Sequence, residues 1–544
     1  MPANYSSKRI ADAARFSRWD AMPDTVFAAH GTTRQVAKSV QAQMQGHLVF
    51  KGEAGYDAAR QIFNPVFDAY PGAVAYCATE TDVAHALAFG QVTSGGFCLR
   101  SGGHSTAGYS TGNGLVIDVS ALDQVVVDSV NLMATVGCGC NFGTLYQTLE
   151  PYGLHMPGGE CPDVCIGGFV QGGGYGFTSV SFGLNCDNAI GFRVMLADGS
   201  IVQANASINA DLYWALRGGT GNNFGIVLSV DYQLRNLGQV TGFALLWSLS
   251  TPADVAAATT AMMTLQTGYT GATPIGGTDM NLQISLCFQN HIDPTQPAPA
   301  PGTPLKPYLM VRGMWLGQAS MLTSFLRPLT VLPGCVVQWI ASDTFRNMND
   351  QLLNYPQGMP YLDQMPYEDK SSRYIERALT AAEWSALLAL FSGAPNNMAY
   401  GYGEFYGGAI NQVGMLDTAF VHRGATMNMV MDVYWLLNHD KPACETFLGN
   451  WNATLEPLSN GESYQNYPSA AELHYIQRYW GPAYPTLQYI KAKYDPGNAF
   501  AFAQQIFAVP ANVSLKPAND PRIPVAVTAA ITQPVTTLLP AMGG

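Results

Sequence analysis

Two glycine-rich loops hold the residue types best suited to chemistry. The first reads Arg100-Ser101-Gly102-Gly103-His104-Ser105. Paired glycines reach positive φ and let backbone N–H groups close around an anion, which suits a pyrophosphate without any lysine. The spacing is not G-x-G-x-x-G and no G-K-[ST] follows, so neither the dinucleotide fingerprint nor the P-loop applies. Taken alone, this loop fits a plain tight turn equally well. The second loop, Gly158 to Gly176, has eight glycines in nineteen residues, a density that no helix or strand interior tolerates. Its Pro162, Val164, Ile166, Phe169 and Tyr175 are wrong for a solvated linker. It reads as a rigid backbone cradle around a flat ligand. Further on, Asp432 interrupts an apolar strand, and a carboxylate there is either paired or functional, because burying it uncompensated is costly.

Other chemistries find little support. The nine histidines show no H-E-x-x-H or paired-ligand spacing, so no metal is expected. Ten cysteines in 544 residues are too few for a disulfide scaffold. Cys138 and Cys140 read as buried thiols on one strand face. The net charge of −12, with no cluster of Lys and Arg, argues against nucleic acid or an anionic membrane as partner. No uninterrupted apolar stretch reaches the ~18 residues of a bilayer span. Met1–Trp19 shows no apolar signal-peptide core, so a cytoplasmic location is expected over secretion. A small-molecule enzyme is the class that remains.

The elements that must position these loops alternate. Thr33–Met44 reads as a helix within a loosely specified N-terminal arm over 1–50. Ala73–Tyr76 is a strand, Thr79 caps the next helix, and Phe97–Arg100 runs straight into the first loop. Gly114–Val119, Gln124–Val127 and Thr135–Gly137 follow as strands, then a helix over Asn141–Glu150. Ala189–Leu196 and Ser200–Gln203 form a hairpin through Asp198-Gly199, and Asn209 caps a helix over Asp211–Leu216. From about 240 the character changes. Strand-like runs (Phe243–Leu249, Leu282–Phe288, Leu309–Trp315) alternate with helices such as Ala253–Thr267 and with Pro-rich loops at 294–307 and 355–366. This reads as a second, α+β domain inserted into the first. The expected division is an arm at 1–50, a first domain at 51–238 continued at 446–510, an inserted domain at 239–445, and a Pro/Ala-rich tail at 511–544.

Taken together, the motifs carry a family resemblance. RSGGHS at 100–105, the Cys161-Pro162-x-Val164 loop with its GGGYG end, and the stretch from Asp211 to Val227 resemble berberine-bridge-enzyme-like FAD-linked oxidases. Those enzymes form part of the vanillyl-alcohol-oxidase, or PCMH-type, flavoprotein class. The resemblance continues through Thr418–Arg423, Tyr464-Gln-Asn-Tyr467 and Tyr494–Phe500, in the family's order from about residue 60 to 510. It implies an α+β, two-domain PCMH-type FAD-binding fold with an inserted substrate domain, an antiparallel sheet covered by helices. It also implies FAD bound twice covalently, through His104 to the 8α-methyl and Cys161 to C6. A neutral imidazole and a thiolate are nucleophiles suited to an electron-poor flavin.

The cofactor set that the resemblance implies begins with Arg100, Ser101, Gly102, Gly103, His104 and Ser105. Cys161, Val164, Gly167, Gly168, Gly172, Gly173, Gly174, Tyr175 and Gly176 follow, then Gly225, Ile226, Val227, Tyr464, Asn466 and Asn498. Tyr175 and Tyr464 match tyrosines that the family places near substrate, and Glu404 aligns with a polar substrate-domain position. With Asp432 these are the candidate catalytic groups, and the base stays open among them. The chain departs from the family at Thr106, where a tyrosine is common, and at Phe169, where histidine is common. Val164, compact where leucine would suggest a dehydrogenase, points to O2 as acceptor and H2O2 as product. The expected reaction is oxidation of an alcohol or hemiacetal carbon of an oligosaccharide or bulky natural product. The alternative on the same fold is oxidative C–C or C–N ring formation or dehydrogenation in secondary metabolism.

Overall fold

In the computed structural model, residues 3–509 are described, except 272, 291, 292, 294 and 354–364. The tail at 511–544 and most of the loop at 355–366 therefore lie outside the described residues. Among the described residues, no helix is long and apolar enough to cross a membrane.

Among the described residues, the first domain holds a two-stranded ribbon of Leu154–His155 with Arg235–Asn236 and two larger sheets. In one, His47–Phe50 runs antiparallel to Ala73–Tyr76, which lies parallel to Leu115–Asp118, itself parallel to Phe97–Arg100. The other is antiparallel, in the order Val125–Asp128, Met133–Gly137, Ile226–Gln233, Ala189–Met195, Ile201–Asn205. Local chemistry sets the helix starts. Thr79 Oγ1 accepts from Asp82 N at 3.1 Å, opening the helix Glu80–Val92. The Asp82 carboxylate in turn accepts from the backbone of Gln45, Gly46 and Ala78. Thr79 thus caps the helix, and the one buried Asp82 side chain ties its start to the entry of strand His47–Phe50.

Three readings change here. The segment 1–50 is no loose arm: helices Ala3–Ala21, Asp24–Ala29 and Arg34–Gln43 lead into a sheet strand. Trp19, Phe27 and Phe50 are fully buried together, with Trp19 and Phe50 rings at 5.2 Å. Asn209 precedes the helix Ala210–Ala215 but makes no side-chain cap. It sits at φ 48° and its amide donates to Gln203 O. The inserted domain also runs past 445, because helix Lys441–Leu455 buries Cys444, Phe447, Leu448, Trp451 and Leu455 in that domain's core.

The inserted domain is a seven-stranded antiparallel sheet. Its order is Val336–Asp343, Val240–Ser248, Lys306–Trp315, Met280–Gln289, Tyr400–Phe405, Met427–Trp435, Tyr367–Ile375. Successive side chains of a strand point to opposite faces, and this sequence uses the alternation sharply. Met427, Met429, Met431 and Val433 join Leu282, Ile284 and Leu286 in a core covered by helices Pro252–Tyr269 and Ala381–Ser392. The residues between them put Asn428 and Asp432 on the other face, with Gln283, Glu404 and Lys370 on neighbouring strands. One face is thus a hydrophobic seam and the other a polar wall.

Candidate active site

The first glycine loop carries a neutral nucleophile. His104 stacks on Phe63 with ring centroids 4.5 Å apart, and burial pushes its pKa down to about 4, so the imidazole is uncharged at pH 7. Gly103 turns the chain at φ 72°, and the nearest heavy atoms to its missing side chain lie 3.6 Å away. Arg100 does not enter the loop. Its Nε pairs with Asp118 Oδ2 at 2.5 Å, and its Nη1 donates to Gln61 O. It is a buried strut under Ser101–Gly103 rather than a phosphate ligand. Gly102 packs on Cys165, and Ser105 Oγ accepts from Tyr109 N.

Further along, Tyr109 Oη and Thr111 Oγ1 are buried with no partner among the described residues. Buried hydroxyls normally have partners, so these two suit a polar ligand threaded through the loop. The sequence reading missed both; their only signal was a hydroxyl-rich run between glycines.

The second loop holds Cys161, which is no ready-made thiolate. Burial, then Glu160, push its pKa up to about 12, while Lys370 pulls the other way. Lys370 also acts on His104, so one ammonium influences both nucleophiles. Gly168 is exposed with open space where a side chain would stand, whereas Gly167 presses on Cys138. Val164 is half-buried against the core.

The remaining glycines serve packing. A Cβ on Gly172 would lie 2.0 Å from Asn466 Oδ1, on Gly173 2.6 Å from Phe420, and on Gly174 2.4 Å from Phe169. On Gly176 it would lie 1.9 Å from the Gly158 carbonyl, and on Gly225 2.7 Å from that of Met195. Ile226 and Val227 are buried strand residues behind the cradle. Asn498 is an exposed turn residue at φ 51°, closing a turn on Asp495 O. Because backbone cannot step aside as a side-chain tip can, Gly176→Ala is expected to destabilise by about 1–3 kcal/mol or more. It should also lower the flavin bound per chain, whereas Gly497→Ala, with nothing within 4 Å, should change neither. Melting temperature and the flavin-to-protein absorbance ratio check this.

The polar wall supplies the acid–base groups. Of the tyrosines singled out from sequence, both hydroxyls are already engaged. Tyr464 Oη accepts from Gly174 N at 2.8 Å, Tyr175 N at 3.2 Å and Asn466 Nδ2 at 3.0 Å. Asn466 also donates to Phe169 O, so this pair pins the cradle. Tyr175 donates to Phe405 O at 3.0 Å and stacks on Tyr406.

The neighbouring Tyr467 is half-buried and donates to Glu404 Oε1 at 2.7 Å, with the Lys370 ammonium 4.7 Å from its ring centroid. Asn428 donates to the other Glu404 oxygen at 2.9 Å. Glu404 is 2% exposed, and burial, reinforced by Glu160, lifts its pKa to about 8. Asp432 is no free base: its Oδ2 lies 3.3 Å from Lys370 Nζ. The structure thus joins Glu404 to Tyr467 and Lys370, two residues not chosen from sequence, while the Tyr175 hydroxyl is spent on the Phe405 carbonyl. Lys370 went unnoticed because a Tyr-Glu-Asp-Lys run reads as a solvated strand.

The donor set fits FAD. It offers an uncharged imidazole, a thiol, an open glycine at 168, unpartnered hydroxyls and no cation inside the first loop. Comparison with known proteins agrees. Residues 71–205 match the family model "FAD binding domain", and 463–507 match "Berberine and berberine like". An uncharacterized FAD-linked oxidoreductase of Bacillus subtilis, YgaK, is 28% identical over 86% of this chain and 98% of its own length. Glucooligosaccharide oxidase of Sarocladium strictum is 27% identical over 82% of this chain and 89% of its own. The solved structure of BBE-like 1 from Physcomitrella patens superposes with a TM-score of 0.75 at 25% identity, covering 86% of this chain and 98% of that one. Family models in two parts of the chain and a structural match over 86% of it point the same way: the chain is an FAD-linked oxidoreductase with an FAD-binding domain, a berberine-like segment and the PCMH-type two-domain fold of berberine-bridge-enzyme-like proteins.

Proposed function

We propose that this FAD-dependent oxidase oxidises an alcohol or hemiacetal carbon of an oligosaccharide or bulky natural product. O2 serves as electron acceptor and H2O2 is released. The observation that carries this reading is the Tyr467–Glu404 hydrogen bond of 2.7 Å on the polar wall. Bound FAD supplies the two-electron acceptor for hydride. The chain supplies the proton path. A substrate hydroxyl donates its proton to Tyr467 Oη as Tyr467 passes its own to the Glu404 carboxylate. Lys370 over the Tyr467 ring favours the developing negative charge. Tyr464 and Asn466 hold the glycine cradle in shape, and Tyr175 braces it against the inserted domain. The sugar part of the reading draws on the likeness to glucooligosaccharide oxidase, and the O2 part on the compact Val164.

His104 and Cys161 are proposed as the two covalent anchors of the flavin. Lys370 acts on both side chains, and the deprotonation that Cys161 needs is what that ammonium promotes. After acid precipitation, the pellet is expected to stay yellow with its mass raised by one FAD. His104→Ala and Cys161→Ala should each keep one bond, and the double variant should release the flavin. A colourless wild-type pellet overturns the tethering. Air-saturated protein given oligosaccharides and bulky alcohols should consume O2 and form H2O2; bleaching of the flavin without peroxide overturns the oxidase reading.

The alternative, oxidative ring formation or dehydrogenation, draws on the same buried carboxylate. It prevails if product analysis shows a new C–C or C–N bond, or a double bond, rather than a carbonyl.

A further inference from the structure

Away from the Glu404–Asn428 row, two carboxylates share a single ammonium. Lys370 Nζ lies 3.3 Å from Glu368 Oε1 and 3.3 Å from Asp432 Oδ2. Tyr434 Oη donates to the same Asp432 oxygen at 3.2 Å. The Glu368 and Asp432 side chains are only 3% and 4% exposed. Yet Glu368 Oε2 and Asp432 Oδ1 have no hydrogen-bond partner among the described residues. Asn64 fixes the Glu368 backbone from both sides, so this carboxylate is not adrift. Phenol rings border the group: Lys370 Nζ is 4.7 Å from the centroid of Tyr467 and 5.9 Å from that of Tyr402. Lys370, Tyr402 and Tyr467 are half-buried, so the cluster adjoins space that a ligand can reach.

The unpartnered atoms constrain what fits. Both are carboxylate oxygens, so a ligand must bring hydrogens and cannot be a carboxylate or a phosphate. With both carboxylates ionised, one ammonium leaves a negative charge unbalanced and mostly out of water; burial and Glu368 push the Asp432 pKa up for that reason, and a counter-charge would relieve it. A neutral hydroxyl satisfies an oxygen but leaves that charge. A cation answers both demands, and phenol faces favour it further.

We propose that Glu368 and Asp432, spaced by Lys370, form a subsite for a positively charged nitrogen on the substrate. Lys370 supplies one cation and limits the site to one more. Asp432 stands four residues along its strand from Asn428, the cross-strand partner of Glu404. That is about 13 Å along the backbone, but Lys370 bridges the gap, its Nζ 3.3 Å from Asp432 Oδ2 and 4.7 Å from the Tyr467 ring centroid. The amine of the substrate is therefore held beside the acid–base pair, a few ångströms from Tyr467. Only this last step rests on the proposed Tyr467–Glu404 chemistry.

The test is binding to FAD-loaded protein without turnover. Isothermal titration with n-butylammonium chloride at pH 7.5 is expected to show one saturable site, and n-butanol none. Glu368→Gln and Asp432→Asn should each weaken ammonium binding at least 10-fold. Glu368→Gln is the decisive variant if Asp432→Asn fails to retain flavin. The proposal falls if the folded wild type shows no saturable ammonium site, if butanol binds as tightly, or if Glu368→Gln leaves binding unchanged. Since no oxidation is measured, failure here leaves the oxidase reading standing, and failure of that reading leaves this result standing.

Discussion

Tyr467→Phe is expected to lower kcat by about 10²–10⁴-fold, the usual contribution of a positioned acid–base group. It should leave flavin content and melting temperature close to wild type. The hydroxyl of Tyr467 donates to Glu404 Oε1 at 2.7 Å and does not support the cradle. Tyr464→Phe should behave in the opposite way. It removes the acceptor of N–H groups from Gly174, Tyr175 and Asn466, leaving buried donors bare. Each costs about 1–3 kcal/mol, so flavin retention and stability should fall with turnover.

The pH profile separates Glu404 from the rest of the site. Its pKa is lifted to about 8, chiefly by burial. Below that pH the group is protonated and cannot take the proton that Tyr467 hands on; above it the carboxylate is ready. In the free enzyme kcat/KM should therefore rise through about pH 8 and then level off. Glu404→Gln should abolish that limb, leaving a low, flat profile. If Glu404→Gln keeps the wild-type limb, the ionisation belongs to another group and the relay is wrong. If Tyr467→Phe retains near-wild-type kcat, the tyrosine does not carry the proton.

Much of the scaffold was legible in the sequence because local chemistry dictates it. Strands Ala73–Tyr76 and Phe97–Arg100 and the Thr79 cap lie where apolar runs and a capping threonine put them. The inserted sheet announced itself through strand-like apolar runs such as Phe243–Leu249 and Leu309–Trp315. The residues that do the chemistry were harder to read, because their roles are set by distant partners. Tyr464 and Tyr467 stand three apart in one motif. What distinguishes them is that the cradle backbone, some 290 residues earlier, engages the first hydroxyl and not the second. Arg100 read as a member of the cofactor-binding set, but the parallel strand brings Asp118 beside it and engages its guanidinium. The burial of Trp19 and Phe27 likewise depends on strand pairing that no local pattern in 1–50 reveals.

The joint between the two domains yields the second large effect. Arg423, in the segment entering strand Met427–Trp435, grips Asp187 of the first domain through paired bonds of 2.8 and 2.6 Å. Its guanidinium also donates to Ile410 O and Thr418 Oγ1 and lies over Phe420 at 4.9 Å. The side chains are 3% and 9% exposed, so removing the cation leaves a carboxylate stranded out of water. Arg423→Met is accordingly expected to destabilise by about 3–5 kcal/mol, seen as a lower urea midpoint by tryptophan fluorescence. Replacing both partners by apolar residues removes the stranded charge, so Arg423→Met with Asp187→Leu should recover much of that loss, although Asp187 also accepts from Leu184 N at 2.9 Å. A single variant as stable as wild type, or a double variant no better than the sum of the singles, would show that this pair does not hold the domains together. Adjacent His422 sits between Glu462 and Gln465 at 2.7 and 3.0 Å. Loosening Arg423 therefore also loosens the segment that carries Tyr464 and Tyr467, and flavin retention should decline along with stability.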